Sequence, residues 1–444
     1  MTPHERRWLL AAVAGSAGRR LAAAGIAILL RHDPTIFHVP DSARYLALGR
    51  AIAEHGAYAL DGRPELFRLP GFPVLVAIAT MLGAPTGGTI VIHALLGAVT
   101  TWLCFVAGRA IGGVRVGLWA ATLEAIEPGQ WAWSAMLVTE PLCTTFVIAS
   151  VAAALRYLAT GRWQWLALAT IAAAAAAYER FVAYLLPAAL VLAMVWIVAP
   201  RASAARRARL WRHAAGAAML AAALLGAWHL RNGLETGYWG FSMQLERAAF
   251  FMGEGTVDAR QSGSSYTDTV QAMPGHDPSS SLTPAPASSA DVMRRRGLGR
   301  MLEHPFVFAS SYAAGIATTL LHPGTAVVMR PFTTNVWDTG PASAAQMLTL
   351  GQWDRAVAVL AAKGTAYWLI TIPLVLLNLA YLAMFVIGAR RHWSSAGVRL
   401  ACVLVVYFVV LSGGPDGDSR RRAPFVPVVC VIAATLLSPK TNKS

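Results

Sequence analysis

Acids and arginines recur at one kind of place in this sequence, just outside its apolar segments. Asp41 follows Pro40 in "FHVPDSARYLALGRAIAEHGAY", and Glu65 and Arg68 stand in the same polar stretch. Glu127 and Glu140 flank apolar runs, Glu179 and Arg180 interrupt another, and His229 and Arg231 end a third. The run "DGDSRRRAP" carries Arg420, Arg421 and Arg422 just ahead of the last apolar stretch. A carboxylate at a bilayer edge is suited to take a proton from a hydroxyl or amine. Guanidinium groups hold phosphate oxygens by paired, charge-assisted hydrogen bonds. Asp41 is equally suited to cap a helix, because Pro40 stops the preceding chain. Local sequence leaves both roles open.

The elements that must position these groups are membrane helices. The chain has 444 residues, 56% hydrophobic and 13% charged, with a mean hydropathy of +0.51, about half the charged fraction of a soluble domain. Stretches near the roughly 20 apolar residues that a crossing needs recur at about 8–30, 88–109, 114–133, 138–159, 163–199, 211–230, 304–322, 365–388, 396–412 and 421–437. The longest must break near Tyr178, Glu179 and Arg180. An all-α polytopic protein of about ten to twelve transmembrane helices is expected. The Arg19–Arg20 pair suggests that the first helix starts later than Trp8. That segment lacks a small-residue cleavage site and reads as a retained anchor.

The net charge of +15 is explained by topology and not by nucleic acid. Arg6, Arg7, Arg109, Arg115, Arg156, Arg162, Arg201, Arg206, Arg207, Arg209, Arg212, Arg390, Arg391 and Arg399 lie in joints between apolar segments and mark cytoplasmic edges. The loop 31–70 then faces outward. Within it Tyr45, Leu48 and Ile52, opposed by Arg44, Arg50 and Glu54, predict a short amphipathic helix on the membrane surface. The piece "PGFPVLVAIATMLGAP" is too short to span and reads as interfacial. Three units are expected: an N-terminal transmembrane module, 1–230, holding the outer loop; a polar outer loop, 231–303, partly disordered and too rich in Ser, Pro and Gly to build a core; and a C-terminal transmembrane module, 304–444. Cys104, Cys143, Cys402 and Cys430 stand singly in apolar runs and read as small buried hydrophobes. There is no Gly-rich phosphate loop, so no nucleotide site is expected.

The triple Arg420–Arg421–Arg422 falls on the side that should be poor in arginine, so a ligand phosphate is a better reason for it than topology. Together, "PDSARYLALGRAIAEHGAY", "RLPGFPVLVA", "TEPL", "WHLRNGLETGYWGF" and "SRRRAPFVPVVCVIAA" resemble successive landmarks of the GT-C membrane glycosyltransferases, the superfamily of protein O-mannosyltransferases and the lipid A aminoarabinose transferase. The resemblance implies a catalytic base at Asp41, an Arg-x-Pro-Gly-aromatic-Pro element at Arg68, Pro70, Gly71, Phe72 and Pro73, with Leu69 where a second proline is common, a Trp-x-x-Arg-Asn element at Trp228, Arg231 and Asn232, and a late element at Arg420, Arg422 and Pro424, with Arg421 where a tyrosine is usual. It implies a polyprenyl-phosphate sugar donor, a glycan, lipid or protein acceptor, and an active site on the outer face of the inner or plasma membrane. Asp41 and Glu140 are the expected catalytic acids, with inversion at the sugar carbon if Asp41 is the base. Arg68, Arg180, Arg231, Arg420 and Arg422 are the expected phosphate-binding residues. No cofactor is expected, and no metal, because no Asp-x-Asp pair stands in the first outer loop. A transporter or flippase of lipid-linked saccharides, or a polymerase or ligase of them, is the alternative; a transporter would favour inverted repeats, and none is visible.

Overall fold

The first helix begins upstream of the position its arginine pair suggests. In the computed structural model, which describes residues 1–273, 286–330, 344–414 and 417–438, the Thr2 hydroxyl accepts the Glu5 N–H and the Glu5 carboxylate accepts the Thr2 N–H at 2.7 Å. This capping box opens α1 (Pro3–Arg31) at Pro3. Arg19 is exposed, whereas Arg20 is buried and donates to Glu124 at 2.8 Å and to Ser134 at 3.1 Å. A side chain at Gly97 would overlap the Arg20 guanidinium. The arginine is tolerated inside the span because it is paired there.

After α1 the chain makes α2 (Ser42–His55), a two-residue antiparallel pair β1 (Ala59–Leu60) and β2 (Arg63–Pro64), and the short α3 (Gly71–Met81). Tyr45 and Leu48 are buried, as their spacing predicts. Arg44 is buried too and donates to Glu65 at 2.7 Å, so part of the expected polar face of α2 packs on the segment between β2 and α3. Helices α4 (Pro85–Gly112), α5 (Val114–Ile126), α6 (Pro128–Ser134), α7 (Glu140–Thr160), α8 (Trp163–Glu179), α9 (Leu186–Val198) and α10 (Ala204–Thr236) follow. The chain breaks between α8 and α9 at the Glu179–Arg180 junction, where the sequence places it. The break between α5 and α6 falls at Pro128, with the Glu127 carboxylate accepting the Gln130 N–H at 2.7 Å.

The polar stretch is more ordered than its composition suggests. Its described residues form α11 (Gln244–Phe250), α12 (Thr256–Ser262), α13 (Tyr266–Ala272) and α14 (Ser289–Glu303). Phe250, Phe251, Met273 and Met293 make a small core of their own, and Tyr238, Met243 and Ala290 pack on Leu66 of the first outer loop. The Ser- and Pro-rich residues 274–285 lie outside the described residues.

Then come α15 (Pro305–Leu321), α16 (Thr325–Met329), α17 (Ala344–Thr349), α18 (Trp353–Ala361), α19 (Thr365–Arg391), α20 (Ala396–Leu411), α21 (Ser419–Arg422) and α22 (Val426–Ala433). Among the described residues, six helical segments are long and apolar enough to cross a membrane: Pro3–Arg31, Pro85–Gly112, Glu140–Thr160, Phe181–Arg201, Ala204–Thr236 and Thr365–Arg391. The larger sequence-based count includes α5 with α6, α8, α15, α20 and α22, which do not reach that length in one unbroken helix. α15 runs beside the loop between α20 and α21. Gly315 meets Gly414, and the Thr319 hydroxyl donates to Ser412 O at 3.4 Å. The largest core gathers α4, α5, α7, α8, α9, α20 and α22 around Val147, Ile148, Val151, Leu166, Leu186, Phe408 and Phe425. All four cysteines are buried and free.

Candidate active site

The sequence puts Asp41 at the start of α2, but its side chain makes no capping bond there. The carboxylate turns to two arginines from distant parts of the chain. Arg68 Nη2 donates to Asp41 Oδ1 at 2.7 Å, and Arg420 Nη1 donates to Asp41 Oδ2 at 3.1 Å. Arg420 Nε donates in turn to Glu140 Oε1, and Arg180 Nη1 donates to the same oxygen and to Thr139 Oγ1 at 3.3 Å. The five side chains form one line, Arg68–Asp41–Arg420–Glu140–Arg180.

Each member is held by its own element. Arg68 sits between β2 and α3, and Glu65 fixes its backbone, because Glu65 Oε1 accepts the Phe67 and Arg68 N–H groups at 2.7 and 2.9 Å. Arg68 also lies over the Tyr45 and Phe67 rings, with its guanidinium carbon 5.1 and 4.8 Å from their centroids. Glu140 is the first residue of α7, where the positive end of the helix favours its charge. Arg180 occupies the extended break after α8, and Arg420 lies in the one-turn helix α21, whose start Asp418 caps by accepting the Arg421 N–H at 3.2 Å.

Exposure is uneven along the line: the side chains of Arg420 and Arg180 are 25% and 19% exposed, those of Asp41 and Arg68 13% and 8%, and that of Glu140 1%. An anion arriving from solvent therefore meets Arg420 and Arg180 first. Three guanidinium charges against two carboxylate charges leave one net positive charge. Arg68 Nε, Arg180 Nε and Glu140 Oε2 are buried without a hydrogen-bond partner, an arrangement that stable interiors avoid unless a ligand or water completes it.

Burial by itself would raise the Asp41 pKa. The charges of Arg68 and then Arg420, with their hydrogen bonds, outweigh it and hold the carboxyl well below the usual carboxylate range. Burial likewise disfavours the charge on Arg420, but Glu140 and Asp41 overcome it and keep the guanidinium protonated.

Two of the expected phosphate-binding arginines are not in this line. Arg231 donates to Tyr58 O and Glu65 O, both at 3.1 Å, and pairs with Glu235 at 2.8 Å; it braces the β1–β2 hairpin. Arg422 donates to Leu320 O at 2.9 Å and His322 O at 3.1 Å, closing the carbonyl end of α15. Both are drawn to backbone carbonyls, at a helix end for Arg422 and beside a hairpin for Arg231. Conversely, Arg44 and Thr139 support the site and were not singled out. The only sequence signal was position, Arg44 one helical turn beyond Asp41 and Thr139 beside Glu140. Among the described residues no three His, Cys, Asp or Glu side chains are grouped as a metal would require.

Residues 64–228 match the model of the dolichyl-phosphate-mannose-protein mannosyltransferase family. No curated protein matches the sequence. Among solved structures, the chain is similar to the archaeal oligosaccharyltransferase AglB from Archaeoglobus fulgidus, solved with an inhibitory peptide and a dolichol-phosphate. The two share 14% identity at a TM-score of 0.50, over 98% of this chain and 50% of that one. ArnT from Cupriavidus metallidurans, solved with undecaprenyl phosphate, is 13% identical at a TM-score of 0.42, over 94% of this chain and 76% of that one. The chain thus spans about half the length of the archaeal enzyme. It shares the all-helical fold of the archaeal enzyme, and its mannosyltransferase family match covers residues 64–228.

Proposed function

We propose that this chain is a membrane glycosyltransferase that moves a sugar from a polyprenyl-phosphate donor to an acceptor on the outer face of the inner or plasma membrane. The observation that carries this reading is the position of Arg420 between Asp41 and Glu140, with Arg68 and Arg180 at the two ends of the line. The family match over 64–228, which includes Arg68, Glu140 and Arg180, supports it.

Asp41 accepts the proton of the acceptor's hydroxyl or amine as that atom bonds to the anomeric carbon. The bond from that carbon to the phosphate oxygen breaks in the same displacement, the leaving polyprenyl phosphate keeps the electron pair, and the configuration inverts. The arginines stabilise the charge gathering on the phosphate, most effectively where water is scarce. Glu140 acts through Arg420 and Arg180, both of which hold its Oε1, and is a positioning residue.

The test is transfer by purified protein in nanodiscs supplied with labelled undecaprenyl-phosphate sugars and lipid, glycan and peptide acceptors. The reading expects sugar-dependent release of undecaprenyl phosphate that Asp41→Asn abolishes. Translocation of a lipid-linked saccharide with no glycosidic bond broken or formed would overturn it.

A further inference from the structure

Next to Arg180 in the chain stands a carboxylate that the proposed displacement does not use. Glu179 is the last residue of α8, is 4% exposed, and its Oε2 is buried with no hydrogen-bond partner. The carboxylate fills the space that a side chain on Gly71 would occupy, so it rests on the backbone at the first residue of α3. Gly71 stands three residues after Arg68, and Arg180 follows Glu179 directly. The group is therefore flanked along the chain by the two arginines that end the line.

A carboxylate this buried is costly without donors. The positive end of α3 offsets part of that cost, but none of its N–H groups bonds Glu179 Oε2. The unused lone pairs accept only from a group that carries donors. An ionised phosphate does not. A hydrocarbon tail does not either. The part of a glycosyl donor joined directly to the phosphate is a ring of hydroxyl groups, and hydroxyls donate well to carboxylates.

We propose that Glu179 binds hydroxyl groups of the donor sugar and so sets which sugar the enzyme accepts. The close approach at Gly71 gives the element its purpose: any side chain there would push the carboxylate away from its ligand. This inference rests on the donor reading above, and the two can fail separately.

The experiment measures binding of sugar-free undecaprenyl phosphate and of its mannosyl, glucosyl, galactosyl and arabinosyl forms to nanodisc-embedded wild type, Glu179→Gln and Glu179→Ala, with a check of folding by thermal unfolding. The proposal expects the wild type to bind at least one glycosylated form at least tenfold more tightly than the sugar-free lipid. Both variants should lose most of that advantage, while their affinity for the sugar-free lipid stays within about twofold. A wild type without preference for any sugar overturns the proposal, as does an advantage that survives in both variants. A parallel loss of affinity for all five lipids also overturns it and makes Glu179 a structural partner of α3. If the wild type binds none of the lipids, the sugar-free one included, the donor reading itself has failed.

Discussion

Arg420 donates from two different nitrogens to two different acids, through Nη1 to Asp41 at 3.1 Å and through Nε to Glu140. In this state the proposed base has both oxygens occupied, since Arg68 holds the other at 2.7 Å. A carboxylate bound by two cations is a poor proton acceptor. An incoming phosphate competes for the same guanidinium groups, and each contact it wins from Asp41 makes that carboxylate more basic. The geometry thus favours an order in which the donor binds before the acceptor is deprotonated. Initial-rate kinetics with the acceptor as varied substrate should show donor binding first, whereas acceptor saturation without donor would contradict the order.

Arg420→Lys and Arg422→Lys should separate. Lysine offers a point charge and cannot reach Asp41 and Glu140 together. Charge-assisted contacts of roughly 1.5–3 kcal/mol each imply a donor affinity weaker by about tenfold or more for Arg420→Lys. Arg422 serves the carbonyls of Leu320 and His322, so Arg422→Lys should leave donor affinity within about twofold and lower thermal stability. Equal loss of donor binding in both variants would bring Arg422 back into the phosphate site.

Asp41→Asn keeps the size of the side chain, but its one amide oxygen can replace only one of the two acceptors that Arg68 and Arg420 use, and it cannot take up a proton. Transfer should fall by about 10²–10⁴-fold, with donor binding within a few-fold of wild type. Substantial turnover by the purified variant would move the base elsewhere, with Glu65 already committed to Arg44 and two backbone N–H groups.

What the sequence makes legible follows from what hydropathy and charge encode. Apolar length marks the membrane helices, and the polar pair Glu179–Arg180 marks the break between α8 and α9. Five charged residues proposed from outer-face position, Asp41, Arg68, Glu140, Arg180 and Arg420, come together in one line, because charges at a bilayer edge have few other partners. Arg231 and Arg422 do not join it: a motif gives an arginine's place in the chain but not the direction its side chain takes, and both turn to backbone carbonyls. The Arg20–Glu124 pair was illegible because its partners are 104 residues apart. The small core of Phe250, Phe251, Met273 and Met293 was hidden by the Ser- and Pro-rich run beside it.

The pH dependence follows from the sign of the Asp41 shift. Its folded pKa lies below the ordinary value of about 3.9, because Arg68 and Arg420 outweigh burial. The stability it contributes is present above the unfolded value and is lost only as pH falls through the depressed folded value. The free enzyme should keep Asp41 ionised throughout the working range, and kcat/KM for the donor, which binds that free form, should stay flat from pH 8 down to pH 5. An acid limb between pH 5 and 7 would mean that a group other than an Asp41 so held takes the proton.

The buried pair inside the membrane gives the last prediction. Arg20 is 3% exposed and Glu124 fully buried, and Thr101 and Ser16 also bond into the pair. Removing the acid in Glu124→Ala leaves a guanidinium charge in a dry interior, which costs about 3–5 kcal/mol. Gly97→Ala attacks the same place sterically, since its new methyl would overlap Arg20. Both should lower the midpoint of thermal unfolding in detergent by several degrees. The double change Arg20→Met with Glu124→Leu removes both charges together and should recover much of that loss, because the pair's attraction barely exceeds its desolvation cost. If the double variant is less stable than Glu124→Ala, the network of Ser16, Thr101 and Ser134 needs the charges themselves, and packing alone does not hold α1 against α4 and α5.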